Sequence, residues 1–441
     1  MSYYHPNFDP RKKFCDVYLP EPKEEVYDIV DRLHDLVDQV IMPRRLELDG
    51  GYGHDQEVAN KAIDTCVQAI ADFGWQRAIL PEEIGGVGGV MKSNVTYAML
   101  FEELARGDAG LAVEIGVLHW FFAPLKFAGR LDLIETFGKP LLDGKHHRAT
   151  TSITETTGGV NIDDITLHGR TLRTIAKLDG DEWVINGAKI WPSGAGLSDI
   201  GYMTVCTTDP NLGEDGLKLI VVPVDAKGLS FGKPINTLGM CCTDTNAEIF
   251  YDNVRVPVEN GVTWGTDVRD ADLLKMLQTV DRISTPALSN GVLQGCLEIA
   301  LEFTKDRIIA GKPMREHSLY VHTLGGILAQ WTAGRSAYME ACYMSDHPET
   351  YGMPWDNFMY SRSSAVDQSV LMGVRKCIPT IIDLMGSYGI AQEYHVEKYM
   401  RDLKMAEMYV GGRFRCQMDV MHDYYDYDWT VPRWEPSAVK S

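Results

Sequence analysis

The closing run Arg401-Asp402-Leu403-Lys404-Met405-Ala406-Glu407-Met408-Tyr409-Val410-Gly411-Gly412 gathers ionisable and aromatic groups at what reads as a helix end. Taking a proton from a weak carbon acid needs a group such as a carboxylate within reach of that hydrogen. Val410 cannot serve, because an isopropyl group accepts no proton. Glu407, three residues earlier on the same helical run, is another carboxylate nearby. Arg413 and Arg415 flank Phe414 and either meet a substrate carboxylate or belong to a surface loop. No Cys-x-x-Cys or His-x-x-x-His ligand spacing appears, and adjacent His146-His147 read as a surface turn rather than a metal site.

The elements that would position such groups fall into three regions. From about 22 to 135 the periodicity is helical: Val26, Ile29, Val30, Leu33, Leu36 and Val37 form one stripe, and 95–117 repeats the spacing. Ile79-Leu80-Pro81-Glu82-Glu83-Ile84-Gly85-Gly86 breaks the helices between them. From about 150 to 260, strand-like runs such as 182–187, 217–224 and 247–251, closed by Asn-Gly and Asp-Gly signals, predict an antiparallel β-domain. From about 270 helical spacing returns over 279–310, 317–345, 361–387 and 393–409, an up-down bundle broken at Gly311 and Gly386-Ser387-Tyr388-Gly389. The fold class is thus α+β, with domains at 1–149, 150–265 and 266–441 and an extended arm from Tyr424 to Ser441.

Composition bounds the partners. The chain has 441 residues and a formal net charge of −20, which argues against nucleic acid, since phosphate binding needs a basic face. No run approaches the roughly 20 apolar residues of a membrane span. The N-terminus lacks a basic n-region and an apolar core, and nine scattered cysteines fit free thiols in a reducing, cytoplasmic setting.

Four separated blocks resemble the acyl-CoA dehydrogenases. Ile153-Thr154-Glu155-Thr156-Thr157-Gly158-Gly159-Val160-Asn161 is similar to that family's flavin-facing turn. Asp179-Gly180-Asp181-Glu182-Trp183 through Lys189-Ile190-Trp191-Pro192-Ser193 is similar to its "DGDGYVLNGTKxWIT" block. Leu238-Gly239-Met240 through Asn253-Val254-Arg255-Val256-Pro257 resembles "LGMRGSDT…FDNVRVP". The bundle carries Lys305 through Pro313 and Gly386 through Gly389 in register. The resemblance implies FAD, a CoA thioester site, an electron-transferring flavoprotein as electron acceptor and a homotetramer. It places Ile153, Thr154, Gly159, Val160, Trp191 and Ser193 around the cofactor, Trp191 as an aromatic wall and Ser193 as a donor near flavin N5. Arg307, Asp383 and Gly386 fall where relatives meet a neighbouring subunit's cofactor. Val160 and Asp383 depart from the usual serine and glutamine, which weakens those contacts.

The resemblance also defines a gap. The family's base is usually a glutamate where this chain has Val410, although the backbone N–H there, a donor to the thioester oxygen, survives the exchange. A minority of the family carries its base on the first long helix of the bundle, before an arginine, which here is Asp281-Arg282. Asp281 is one methylene shorter than glutamate, about 1.5 Å, and an apolar site would raise its pKa. The competing reading is a first-turn carboxylate favoured by the helix dipole. Arg282 is then structural or a CoA-side cation. Glu114, His119 and Trp120 fall in the stretch that floors the acyl pocket in relatives, and Tyr409 and Gly411 flank the thioester. The reading is an FAD-dependent α,β-desaturation of an atypical acyl-CoA: short, branched, alicyclic or aromatic. Its alternatives are a lyase, desulfinase, decarboxylase or enoyl-CoA reductase, or a catalytically silent flavoprotein.

Overall fold

Val26, Ile29, Val30 and Leu33 lie on one buried face, and Glu24 and Glu25 sit in the first turn where the helix dipole favours negative charge, so Lys23–Leu36 forms helix α1. The computed structural model describes residues 16–156, 171–422 and 424. Helices α2 (Gln56–Phe73), α3 (Asn94–Gly107), α4 (Ala109–Phe127) and α5 (Leu131–Gly138) follow in the first region, with single helical turns at Arg45–Leu48 and Trp75–Ala78. The single helical segment expected over 95–117 is two helices. Asp108 takes an extended conformation between them, accepts the Leu111 N–H at 3.0 Å and pairs with buried Lys398 at 2.8 Å. A capping aspartate after glycine stops α3 and starts α4. By length and composition α4 is apolar enough to cross a bilayer, yet it is mostly buried inside the fold.

The middle region contains β1 (Thr150–Ser152), β2 (Ile175–Asp179), β3 (Glu182–Lys189), β4 (Gly201–Thr207), β5 (Leu217–Pro223), β6 (Leu229–Phe231) and β7 (Ile249–Pro257). The sheet runs β1-β4-β2-β3-β7-β6, with β5 on β4. The antiparallel expectation holds for β2–β3, β3–β7, β4–β5 and β6–β7, whereas β1 and β2 each meet β4 in parallel. Asp179-Gly180 makes the turn that its type predicts, with Gly180 at φ 68°. Asn186-Gly187 does not: it lies inside β3, at a bulge opposite β7. Gly187 has φ 147°, and a Cβ there would come within 2.6 Å of Thr174 backbone, so glycine serves close packing rather than reversal.

The last region holds α6 (Asp270–Asp306), α7 (Ser318–Ser345), α8 (Asn357–Met385), α9 (Val396–Ala406) and α10 (Gly412–His422). Helix α6 starts nine residues before the expected 279. Asp270 takes Lys218 Nζ at 2.9 Å, the Leu219 N–H at 2.8 Å and the Thr263 hydroxyl at 2.6 Å, anchoring the extra turns on the sheet. Helix α6 packs against α3, α7 and α8. The approach to α3 is close: a Cβ on Gly291 would lie 2.0 Å from the Glu102 carbonyl oxygen. The helix expected through 409 ends at Ala406, and a tight turn at Tyr409–Gly411 leads into α10. The expected arm after Tyr424, like Gly159 and Val160, lies outside the described residues.

Candidate active site

Helix α4 presents Val113, Gly116, Val117 and Trp120 at helical spacing, and α6 presents Asp281, Ser284, Thr285 and Leu288 at the same spacing. These faces, with Tyr97 and Phe101 of α3, enclose a cavity of about 690 Å³. The sheet closes one side with Thr151, Ile153, Thr154, Trp191 and Ser193, and the turn after α9 closes another with Tyr409, Val410 and Gly411. Among the described residues on this wall, Asp281 is the one carboxylate. Burial, and after it the Asp281 charge, holds the Tyr97 phenol above its ordinary range; the Tyr409 phenol is held up by burial and by Asp244, with Asp281 adding to them.

Val410 has φ 43° and ψ 46°. A β-branched residue in the left-handed region stores strain of about 1–3 kcal/mol and persists only where its surroundings hold it. Arg282 supplies that hold. Its guanidinium donates to the Val410 carbonyl at 3.0 Å, to Asp419 at 2.8 Å and to Ser364 at 2.9 Å, and it stacks 4.6 Å from the Tyr360 ring. Arg282 is fully buried and does not line the cavity, so the substrate-binding role expected for it gives way to a bracing one.

Two other expected floor residues lie elsewhere. Glu114 is buried in ion pairs with His146 and Arg148, which hold its carboxyl below the usual range despite burial. It thereby ties α4 to the strand entry. His119 stacks on Tyr97, with centroids 4.8 Å apart, and faces a separate cavity; burial pushes its pKa down to about 3. Residues 114 and 119 are each one helical step, about 100°, off the face that carries 113, 116, 117 and 120. Trp120, by contrast, is on the wall. Glu407 pairs with Lys404 and Arg375, away from the cavity. Arg415 is buried against Asp419, while Arg413 and Phe414 are exposed. His146 and His147 are engaged by carboxylates, His147 with Asp143 and Asp199.

The sheet side fits a planar polar-edged cofactor. Trp191, half exposed with φ 74°, presents its indole at the wall, and the Thr151 hydroxyl there is buried with no hydrogen-bond partner among the described residues. Behind Ile153, Lys189 is buried between the Ile153 carbonyl and Glu155, each at 2.8 Å. Arg307, Asp383 and Gly386 are exposed and do not line this wall; Arg307 lies 4.4 Å over the Tyr388 ring. The eight described cysteines are free thiols. Asp49, His54 and Cys241 come within ligand distance of one another, but Asp49 is already paired with Arg401 at 2.6 Å.

One group escaped sequence reasoning. Asp244 is buried behind the wall, accepts the Tyr409 hydroxyl at 3.2 Å and also meets Ser193 and Asn246. Burial pushes its pKa up to about 6, against those hydrogen bonds. Its folded value exceeds the unfolded value of about 3.9, so the fold prefers the neutral acid, and this contribution declines as pH rises from about 4 to about 6. Asp244→Asn should remove that decline. Between pH 4 and pH 7 the variant's stability relative to wild type is expected to rise by about 2–3 kcal/mol in chemical denaturation. A flat difference would contradict it.

Comparison with known proteins supplies the remaining context. Family models described as the N-terminal, middle and C-terminal domains of acyl-CoA dehydrogenase match residues 23–145, 150–254 and 274–421. A probable acyl-CoA dehydrogenase of Mycobacterium tuberculosis is 27 % identical over 92 % of this chain and 95 % of its own length. The cyclohex-1-ene-1-carbonyl-CoA dehydrogenase of Geobacter metallireducens is 26 % identical over 88 % and 94 %. The structure of butyryl-CoA dehydrogenase from Megasphaera elsdenii aligns with TM-score 0.77 at 23 % identity, covering 90 % and 97 %. A nitroalkane oxidase bound to spermine aligns at 0.78 and 19 %, covering 92 % and 98 %, and so shares the fold.

Proposed function

Because this chain belongs to the acyl-CoA dehydrogenase family, we propose that it desaturates the α,β-bond of an acyl-CoA thioester with Asp281 as the base. The observation that carries the reading is the single carboxylate on the cavity wall, on the same wall as Val410 and Trp191. FAD is the cofactor, held by Thr154, Trp191, Ser193 and the Thr151 hydroxyl. When bound, it supplies the acceptor for the β-hydride. Asp281 takes the α-proton. The Val410 N–H donates to the thioester oxygen as enolate charge develops, the electrostatic assistance such a carbon acid needs. Tyr97, Phe101 and Trp120 keep water from the carboxylate and suit a compact, ring-bearing acyl group better than a long flexible chain.

Arg307, Asp383 and Gly386 are assigned to a neighbouring subunit's cofactor in a homotetramer. Exposed Ile308, Leu319, Val321 and Ile390 fit burial against another copy. An electron-transferring flavoprotein then reoxidises the enzyme.

The deciding experiment adds candidate acyl-CoAs to the yellow holoprotein without oxygen. Loss of the oxidised-flavin band is expected. Product with an unchanged spectrum would favour a lyase, and silence across short, branched, alicyclic and aromatic thioesters would favour a non-catalytic flavoprotein. A companion result concerns residue 410. Asp281→Asn/Val410→Glu should regain part of the flavin reduction lost in Asp281→Asn, since the wall then carries a carboxylate again. No recovery in stopped-flow traces would mean that residue 410 does not face the substrate's α-carbon.

A further inference from the structure

Three rings hold the Tyr97 side chain on the helical wall of the cavity: Trp75 edge-on at 5.8 Å, Phe101 stacked at 5.6 Å and His119 at 4.8 Å. The Tyr97 hydroxyl lies beside Gly116, on the α4 face of the same cavity. A Cβ added to Gly116 would stand 3.5 Å from the phenol oxygen, so glycine there leaves the hydroxyl uncovered. Among the described residues no hydrogen bond reaches it. Burial, with the Asp281 charge, keeps the phenol protonated at neutral pH, so it stands as a donor. Nearby groups do not take that donor. The Ser284 hydroxyl donates to the Asp281 carbonyl at 3.2 Å and the Tyr409 hydroxyl to Asp244 at 3.2 Å. Side chains of Phe101, Val113, Val117 and Leu288 offer no acceptor. An acyl group that fills the space beside Gly116 takes the phenol out of solvent. A hydrocarbon would leave the donor unpaired, which is the costly case for a buried polar group.

We propose that the acyl group carries an oxygen on its ring that accepts the Tyr97 hydroxyl, which makes the substrate an oxygenated alicyclic acyl-CoA. The inference rests on the acyl-CoA reading above and adds the chemistry of the acyl end. The acyl group stays compact and within the cavity already described. No covalent step is involved; the hydrogen bond sets affinity and the orientation of the ring beside Asp281.

The test uses holoprotein carrying Asp281→Asn, so that ligand binds without turnover, and measures affinities by calorimetry. It compares cyclohexanecarbonyl-CoA with tetrahydropyran-3-carbonyl-CoA and tetrahydropyran-4-carbonyl-CoA. Each ether exchanges one ring methylene for oxygen and keeps the ring size. At least one ether is expected to bind about tenfold tighter than the carbocycle, as suits one hydrogen bond gained where a buried donor would otherwise go unpaired. Adding Tyr97→Phe removes a hydroxyl and keeps the ring among Trp75, Phe101 and His119. The preference should then vanish or reverse, with the visible flavin spectrum unchanged. Equal affinity for all ligands, tighter binding of the carbocycle or binding by none of them overturns the proposal. So does a preference that survives Tyr97→Phe, as it would if the Thr285 hydroxyl met the oxygen instead. The two readings fail separately. A Tyr97-dependent preference in protein whose wild-type flavin no ligand bleaches would leave the phenol contact standing and remove desaturation. Bleaching by cyclohexanecarbonyl-CoA with equal affinities would do the reverse.

Discussion

Asp281→Asn should slow anaerobic flavin reduction by about 10²–10⁴-fold, the usual worth of a positioned general base, while FAD stays bound. The amide matches the carboxylate in shape and removes its basicity, so the cavity wall shared with Ser284, Thr285 and Leu288 keeps its form. Among the described residues no other carboxylate lines the wall to take over. Glu407 is engaged by Lys404 and Arg375, and Asp244 sits behind Tyr409, which donates to it. The measurement is single-turnover absorbance at the flavin band, with the visible spectrum of the resting variant as the binding control. Reduction at the wild-type rate would remove Asp281 as base and return it to a helix carboxylate without chemistry.

Arg282→Leu should give the largest loss of stability, about 3–5 kcal/mol, the typical cost of breaking a buried pair from one side. Asp419 is 1 % exposed, and after the change its carboxylate retains Arg415 at 2.8 Å but loses the second cation. The Val410 carbonyl loses its donor at the same time, so a strained turn is freed to relax. Arg282→Lys should fall between the two, because one ammonium cannot reach Asp419, Ser364 and Val410 together as a guanidinium fork does. Denaturant midpoints of the three proteins test the order. A loss below about 1 kcal/mol for the leucine variant would show that Arg415 alone compensates Asp419.

The periodic parts of the fold were legible because period is a local property. The stripe from Val26 to Leu33 and the glycine breaks at Gly311 and Gly386 needed no tertiary information. The first turns of α6 did not show, since their helix depends on Asp270 reaching Lys218 and Leu219, some fifty residues away. Asn186-Gly187 misled because the pair that favours a hairpin turn also suits a bulge, and only Thr174 behind Gly187 decides between them. In the structure Asp281, Tyr409, Val410 and Gly411 line one cavity. Glu114 and His119 came from the right helix on the wrong face, an error that counting by 3.6 residues from Val113 would have caught. Asp244 was invisible because its surroundings are assembled from the sheet and from Tyr409, far apart in sequence.

Asp281 and Arg282 are consecutive, yet one faces the cavity and the other grips the Val410 carbonyl. The proposed proton acceptor and the proposed oxygen-binding amide are therefore registered through one helical step and one guanidinium, not across two independent supports. When α6 shifts as a rigid rod, both ends of the chemical apparatus travel by the same vector. Such common-mode motion leaves their separation untouched, so heating should blunt substrate positioning before it disturbs the alignment of the reacting groups with each other.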